Sequence, residues 1–410
     1  MEEIIPNKQS MLIAPMLLLI SAFVVYIVLF PPKPETDDFN WTQESTQADW
    51  DVSLPGEEGL APQPLADLHA YVTLRKTKKV QSLLIVRNGK LVFEQYYPVR
   101  SSKDGTPMPV YFPPAPDTFH QMRSITKTVT STLIGNLLFK GKLESKDVQL
   151  FSYYQSENYP DAEQKKAITL ENALDFNSGF DWKEWGEIDS DAMKMWLSRD
   201  PYEYILNKGV SGSPGEHYVY QGAMSVLLGG VVEQVTGMTL REYAEDALFG
   251  PLGITNYDWF SHEITGDYLG SSGLYLRSRD LAKLGVLYLN EGMWRGERIF
   301  STAWAEESRV PKGKFWKDKT IQYGHNWWFP LIAANGKTLD IAGMRGSGGQ
   351  EMFIVPELNL VFVMTSGAYI GQDENFPFEL LVDYVLPSVG IPDSRYIPKT
   401  DDAEKSGLLY

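Results

Sequence analysis

Two β-rich pairs stand at opposite ends of this chain, with a long helical block between them. Near the start, residues 80–86 and 91–97 are joined by Arg87-Asn88-Gly89-Lys90. Asn-Gly between two such runs is the strongest short-range hairpin signal, because both turn positions need positive φ. Near the end, 351–355 and 360–365 are joined by the turn residues Pro356-Glu357-Leu358-Asn359. In between, apolar residues recur at helical spacing over 125–138, 224–235, 240–248, 276–289 and 299–307, and 376–389 can close the chain as a helix. Residues 65–76 suit an amphipathic helix, and 101–118 reads as a proline-rich loop. This is not the βαβ alternation of a parallel doubly wound sheet. The economical fold is α+β: an antiparallel sheet built from both termini, flanking helices, and an inserted mostly helical subdomain over about 140–260. The seam between the two parts is the natural place for a cleft.

Residues 11–30 are apolar apart from Ser21 and Pro15, long enough to span a bilayer as one helix. A cleaved signal peptide is the alternative. It wants a basic leader and small residues at its end, whereas this run follows Glu2 and Glu3 and ends in Phe30-Pro31-Pro32. We therefore expect a membrane anchor over 1–30, a flexible linker over 31–64, the folded domain over 65–395 and a tail over 396–410. The folded domain is expected on the periplasmic, extracytoplasmic side of the inner membrane. The formal net charge of -16 and the lack of a basic stripe argue against nucleic acid. With no cysteine, disulfides, thiolate metal sites and Cys nucleophiles are excluded.

The chemistry narrows by elimination and then by one short element. There is no G-x-S-x-G elbow, no H-E-x-x-H, and no phosphate-binding glycine pattern after a strand. Five histidines are scattered; His120 lies four residues before a serine but has no third partner in view. That serine opens Ser124-Ile125-Thr126-Lys127, an S-x-x-K at the start of the 125–138 helix. One turn apart, Ser124 and Lys127 share a helix face. Burial and the positive end of the helix dipole both favour a neutral lysine, which can take the proton from a serine nucleophile. Taken alone, the element reads first as a helix start, with Ser124 as N-cap and Lys127 solvated.

Two distant elements change that balance. Tyr220-Gln221-Gly222 precedes Leu227-Leu228-Gly229, and Gly346-Ser347-Gly348-Gly349-Gln350 lies just before the C-terminal hairpin. With Ser124-x-x-Lys127 they stand in the order found in the serine β-lactamase-related hydrolases. That family includes class C β-lactamases, D,D-peptidases, esterases and 6-aminohexanoate-dimer-hydrolase-like enzymes, and the chain resembles it from about 65 to 387. The resemblance implies the fold outlined above, no cofactor or metal, and a small amide or ester as substrate. It implies Ser124 as the nucleophile of an acyl-enzyme, Lys127 as its base, and Tyr220 as proton shuttle, its phenol made acidic by a nearby ammonium. Tyr218 is the register-slipped alternative. It also implies an oxyanion hole from the backbone N–H of Ser124 and of Gly349 (or Gln350), with Ser347, Gly348 and Gly349 lining the substrate site.

Two positions depart from the family pattern. Gly222 stands where an Asn is usual, and Gly346 where a Lys or His recognises the carboxylate of β-lactams and D-Ala-D-Ala peptides. Arg345 is adjacent, but neighbours in a strand face opposite ways. A short amide or ester is therefore expected rather than a β-lactam. A catalytically idle binding domain and a D,D-carboxypeptidase are the alternatives. Of Trp182, Trp185, Trp196, Trp327 and Trp328, most should be core and one or two should wall the cleft. Glu184, Glu187, Asp189 and Asp191 read as a solvated acidic face.

Overall fold

The computed structural model describes residues 36, 39–43, 49–74, 79–98, 114–186, 189–315, 318–368 and 374–397. The elements below lie in the unit Asn40–Tyr410. Helix α1 (Pro62–Leu74) leads into the hairpin β1 (Val80–Arg87) and β2 (Lys90–Tyr96). Its turn is made by Asn88 and Gly89 at φ 53 and 79, as the Asn-Gly pair requires. Three further long helices are α2 (Ile125–Phe139), α3 (Gly222–Thr236) and α4 (Ser278–Leu289). The C-terminal part supplies β3 (Gly313–Phe315), β4 (Asp318–Gly324), β5 (Trp327–Pro330), β6 (Ala342–Gly346), β7 (Gln350–Val355), β8 (Leu360–Ser366) and helix α5 (Phe376–Leu380).

These strands form one eight-stranded sheet in the order β2-β1-β8-β7-β6-β5-β4-β3. The pairings are antiparallel, and the N-terminal hairpin joins the last strand in the register Leu83↔Met364 and Ile85↔Phe362. The expectation of an α+β fold with a sheet assembled from both termini is met. Alternation along β7 sorts its two faces. Phe353 packs on Phe378 of α5 at 5.3 Å. Met352 faces α4, where a Cβ on Gly285 would lie 3.0 Å from the Met352 sulfur and 2.6 Å from Val361 Cγ1. Glycine at 285 is what lets α4 lie close to the sheet.

Helix α2 is buried on every side, from Ile125 to Leu137. Its polar residues are paired one by one: Thr128 donates to the Asn326 carbonyl at 2.7 Å, Thr130 to Gly270 at 2.9 Å and Ser131 to His325 at 2.9 Å. Asn136 donates to Ile299 O at 2.6 Å and accepts from the Tyr243 hydroxyl at 2.6 Å. An interior helix with satisfied hydroxyls is held rigidly, which suits the element that carries Ser124 and Lys127.

Several expectations need correction. The linker does not reach residue 64. Trp50 and Leu60 are buried, Leu91 N–H donates to Asp51 O at 2.8 Å, and Asp49 pairs with Lys283 at 2.7 Å. The folded domain therefore begins well before residue 65. Leu276 and Arg277, expected to open a helix, belong instead to a strand, Leu274–Arg277, that pairs with Phe119–Gln121 and Asp258–Trp259; the helix begins only at Ser278. Strands β3 to β6 were not anticipated. Glycine is poor in strands, yet Gly343 in β6 is there because a Cβ would strike the Phe353 ring at 2.6 Å. Gly346 to Gln350 precedes the C-terminal hairpin β7–β8, as expected, and is at the same time the turn of another hairpin, β6–β7, that shares β7 with it. The anchor expected over 11–30, the loop over 101–113 and most of the tail over 396–410 fall outside the described residues. Among the described residues no single helix is long and apolar enough to cross a membrane.

Candidate active site

A sharp strand-to-helix corner presents Ser124. Phe119–Gln121 runs in as a strand, and Met122 N–H is held by Leu274 O at 2.8 Å. Arg123 then takes the left-handed conformation, φ +52, and Ser124 starts the helix. A non-glycine residue in that region costs about 1–2 kcal/mol, a strain that persists only where the surroundings impose it. The corner leaves Ser124 half-buried at the first turn, where backbone N–H groups have no intrahelical acceptor.

Lys127 lies one turn on and is buried. Its Nζ is 3.1 Å from Ser124 Oγ and 3.0 Å from the Ser271 carbonyl. Burial lowers its pKa from the ordinary lysine value, and Glu184 opposes that shift. The amine is thus biased toward the neutral form a base requires. The solvated-lysine reading of this position does not hold.

Tyr220 comes in from the residues just ahead of α3. Its hydroxyl hydrogen-bonds Ser124, and its ring centroid is 5.1 Å from Lys127 Nζ. The ring is fixed by Trp185 stacked at 5.3 Å, Phe176 edge-on at 5.0 Å and Trp328 at 5.7 Å. The expected acidic phenol is corrected here. Burial first, and Glu184 second, raise the Tyr220 pKa, and the Ser124 hydrogen bond only partly offsets them. That direction favours the neutral phenol, a form that donates a proton. Tyr218 packs on Tyr323 at 5.3 Å. His120 is held by Gln81 at 3.0 Å and Thr365 at 3.4 Å, so it is not the serine's partner.

The β6–β7 hairpin closes the site. A Cβ on Gly346 would fall within 3.0 Å of the Met122 carbonyl oxygen and 3.2 Å from Arg123 Cβ, so the strand abuts the corner that carries Ser124. Gly348 and Gly349 turn the hairpin at φ 90 and 84. Ser347, half-buried, holds the only side chain between Gly346 and Gln350. Arg345 is on the other side of the strand. It pairs with Glu351 at 2.8 Å and lies over the Phe378 ring at 4.8 Å and the Trp328 ring at 5.7 Å, so its charge is already matched by a buried carboxylate.

One group was misjudged from sequence. The acidic run 184–191 splits among its described members: Asp189 forms an exposed ion pair with Lys183 at 2.5 Å, and Asp191 ties Tyr204 at 2.6 Å and Lys208 at 3.0 Å. Glu184 instead turns inward to Lys127, 3.9 Å away. Of the tryptophans, Trp185 and Trp328 wall the site, while Trp182 and Trp327 are buried. A separate group, Glu171, Glu307 and His325, brings ligand atoms within 4.8 Å of one another. Lys146 already bridges both carboxylates and Lys312 lies 3.5 Å from Glu307, so lysines fill the place a metal ion would take.

The model of the beta-lactamase family matches residues 77–381. The 6-aminohexanoate-dimer hydrolase of Paenarthrobacter ureafaciens is 24% identical over 270 residues, covering 62% of this chain and 67% of that protein. A penicillin-binding protein of Bacillus subtilis is 24% identical over 189 residues, covering 43% of this chain and 42% of that protein. The octameric penicillin-binding protein homologue of Pyrococcus abyssi superposes with a TM-score of 0.60 at 19% identity, covering 80% of this chain and 78% of that one.

Proposed function

The chain belongs to the beta-lactamase family, and from that premise we propose that it is a serine hydrolase cleaving a small amide or ester through an acyl-enzyme. The observation that carries this reading is the contact of one hydroxyl, Ser124 Oγ, with both a buried amine and a phenol. Neutral Lys127 takes the Ser124 proton as Oγ bonds to the substrate carbonyl carbon. The oxyanion that forms is met by the N–H of Ser124 and by that of Gly349 or, one residue on, Gln350. Collapse breaks the bond to the leaving amine or alcohol, which takes the Tyr220 proton. The Lys127 ammonium then restores the phenol. Water repeats the steps in reverse and releases the acid.

Substrate choice follows from what faces the site. Within 346–349 the side-chain contribution is the Ser347 hydroxyl, a neutral hydrogen-bonding group, with Arg345 turned away. The cation of this hairpin, Arg345, is already paired with Glu351. Trp185 and Trp328 offer apolar walls instead. This supports an uncharged amide or ester over a β-lactam or a D-Ala-D-Ala peptide. The test is covalent labelling by a fluorophosphonate together with p-nitrophenyl ester turnover. Both are expected in the native protein and absent in Ser124→Ala; labelling that survives this substitution excludes the mechanism. An idle binding domain would show neither in the native chain.

A further inference from the structure

Gly222 and Glu184 fit each other in a way neither position suggests alone. A Cβ built on Gly222 would lie 2.8 Å from Glu184 Oε1 and 2.9 Å from Oε2. The carboxylate therefore fills the volume that a side chain at 222 would occupy. It is fixed there: Oε2 accepts from the Gly222 backbone N–H at 2.7 Å and from Trp182 Nε1 at 2.6 Å. Oε1 faces Lys127 Nζ at 3.9 Å. We propose that Glu184 takes over the place of the side chain missing at 222 and acts as a positioning residue for the Lys127 amine. The inference rests on the serine hydrolase reading and deepens it.

The donor count gives the physical reason. A neutral amine has two N–H groups and one lone pair. The Ser271 carbonyl, at 3.0 Å, takes one N–H. A carboxylate is acceptor-only, so the second N–H turns toward Glu184, and the lone pair is left for the Ser124 O–H at 3.1 Å. An amide at this point can present either end; a carboxylate cannot. Once the proton has moved, the same anion stabilises the ammonium. Among the described residues, Tyr220 also faces Lys127, with Tyr323 behind it, and Ser124 and Ser271 contact the amine.

The experiment uses the full chain and reads fluorophosphonate labelling rate and p-nitrophenyl ester kcat/KM from pH 5 to 10, a window of about five units around the expected titration. Native Ser124 must label, or the hydrolase reading itself fails. Given labelling, Glu184→Gln is expected to move the acid limb down by about 1–2 pH units, since an anion near Lys127 raises its pKa, and to lower the plateau about tenfold or more. Gly222→Asn alone is expected to lose activity, because its Cβ collides with Glu184, and Glu184→Ala in the same chain is expected to recover at least about tenfold of that loss. The inference is overturned if the Glu184→Gln profile superimposes on the native one. It is equally overturned if Gly222→Asn is fully active, or if its loss is the same with Ala at 184. The second pair keeps the question decidable should Glu184→Gln fold poorly.

Discussion

Gly346→Ala is a small change with a large expected effect, because the place for its methyl group is already taken. The added Cβ would lie within 3.0 Å of the Met122 carbonyl oxygen, 3.2 Å from Arg123 Cβ and 3.2 Å from Gln350 Cβ, whereas ordinary contact begins near 3.4 Å. Retreat from Met122 pushes β6 toward Gln350 in its own hairpin, so relief means moving the corner that carries Ser124. Overpacking of this kind costs about 1–3 kcal/mol of stability. The catalytic cost is expected to be greater in proportion. A displacement near 1 Å between reacting groups is worth about 10²-fold in rate, and half of that shift roughly tenfold. We expect ester kcat/KM to fall between about 10- and 100-fold, mostly in kcat, while urea unfolding loses no more than about 3 kcal/mol. Gly346→Lys should behave the same way and gain no penicillin labelling. If Gly346→Ala keeps native kcat and stability, the steric reason for the missing cation is wrong.

Other outcomes follow from the same geometry. Tyr220→Phe keeps the ring between Trp185 and Trp328 but removes the proton donor. Turnover should fall about 10²–10⁴-fold, and most for poor leaving groups, which need that proton; steady-state rates across a series of phenyl and alkyl esters would reveal the slope. The His120 pKa is pushed down to about 4 by burial, below its ordinary 6.5. The unfolded chain thus binds the proton first, so stability is full above pH 6.5 and is lost as pH falls toward 4, by about 3 kcal/mol. Urea unfolding of His120→Gln at several pH values should be flatter by that amount. A fragment starting at residue 65 loses the buried Trp50 and the Asp49 partner of Lys283, and should be less stable than one starting at residue 40 by at least about 3 kcal/mol.

What could be read from the residues was what local chemistry dictates. Asn88-Gly89 set the first hairpin, Gly237 closed α3 at φ 73, and S-x-x-K marked a helix start. Strands β3 to β6 were missed because their signals are tertiary. Gly343 looks like a strand breaker until the Phe353 ring is seen against it. Tyr323 is buried against Phe176, Tyr218 and Tyr220, and Trp327 against Tyr288 of α4, all distant in sequence. The early boundary was missed for a similar reason: Trp50 sits in an acidic, proline-rich run, yet it packs on Trp294, far along the chain, at 6.2 Å.

The site divides along the same line. Ser124 and Lys127 are one helical turn apart, so their meeting is a local fact. Tyr220 needed an ordered comparison of distant elements, and the direction of its phenol's shift needed the structure, since burial and Glu184 outweigh the Ser124 hydrogen bond. Glu184 was out of reach, because an acidic residue among acidic residues reads as solvated surface. Its signal lay elsewhere, in the side chain that Gly222 does not have. Where a functional position carries glycine, the volume and the hydrogen bonds it vacates must go to some other residue, since buried donors do not stay unpaired. Here the Gly222 N–H and Trp182 Nε1 converge on one carboxylate oxygen, and the second oxygen is left for the lysine. On the proposed role of Glu184, the amine of Lys127 faces an anion where the family pattern has a neutral amide, and the change is made at a residue outside the three elements of that pattern.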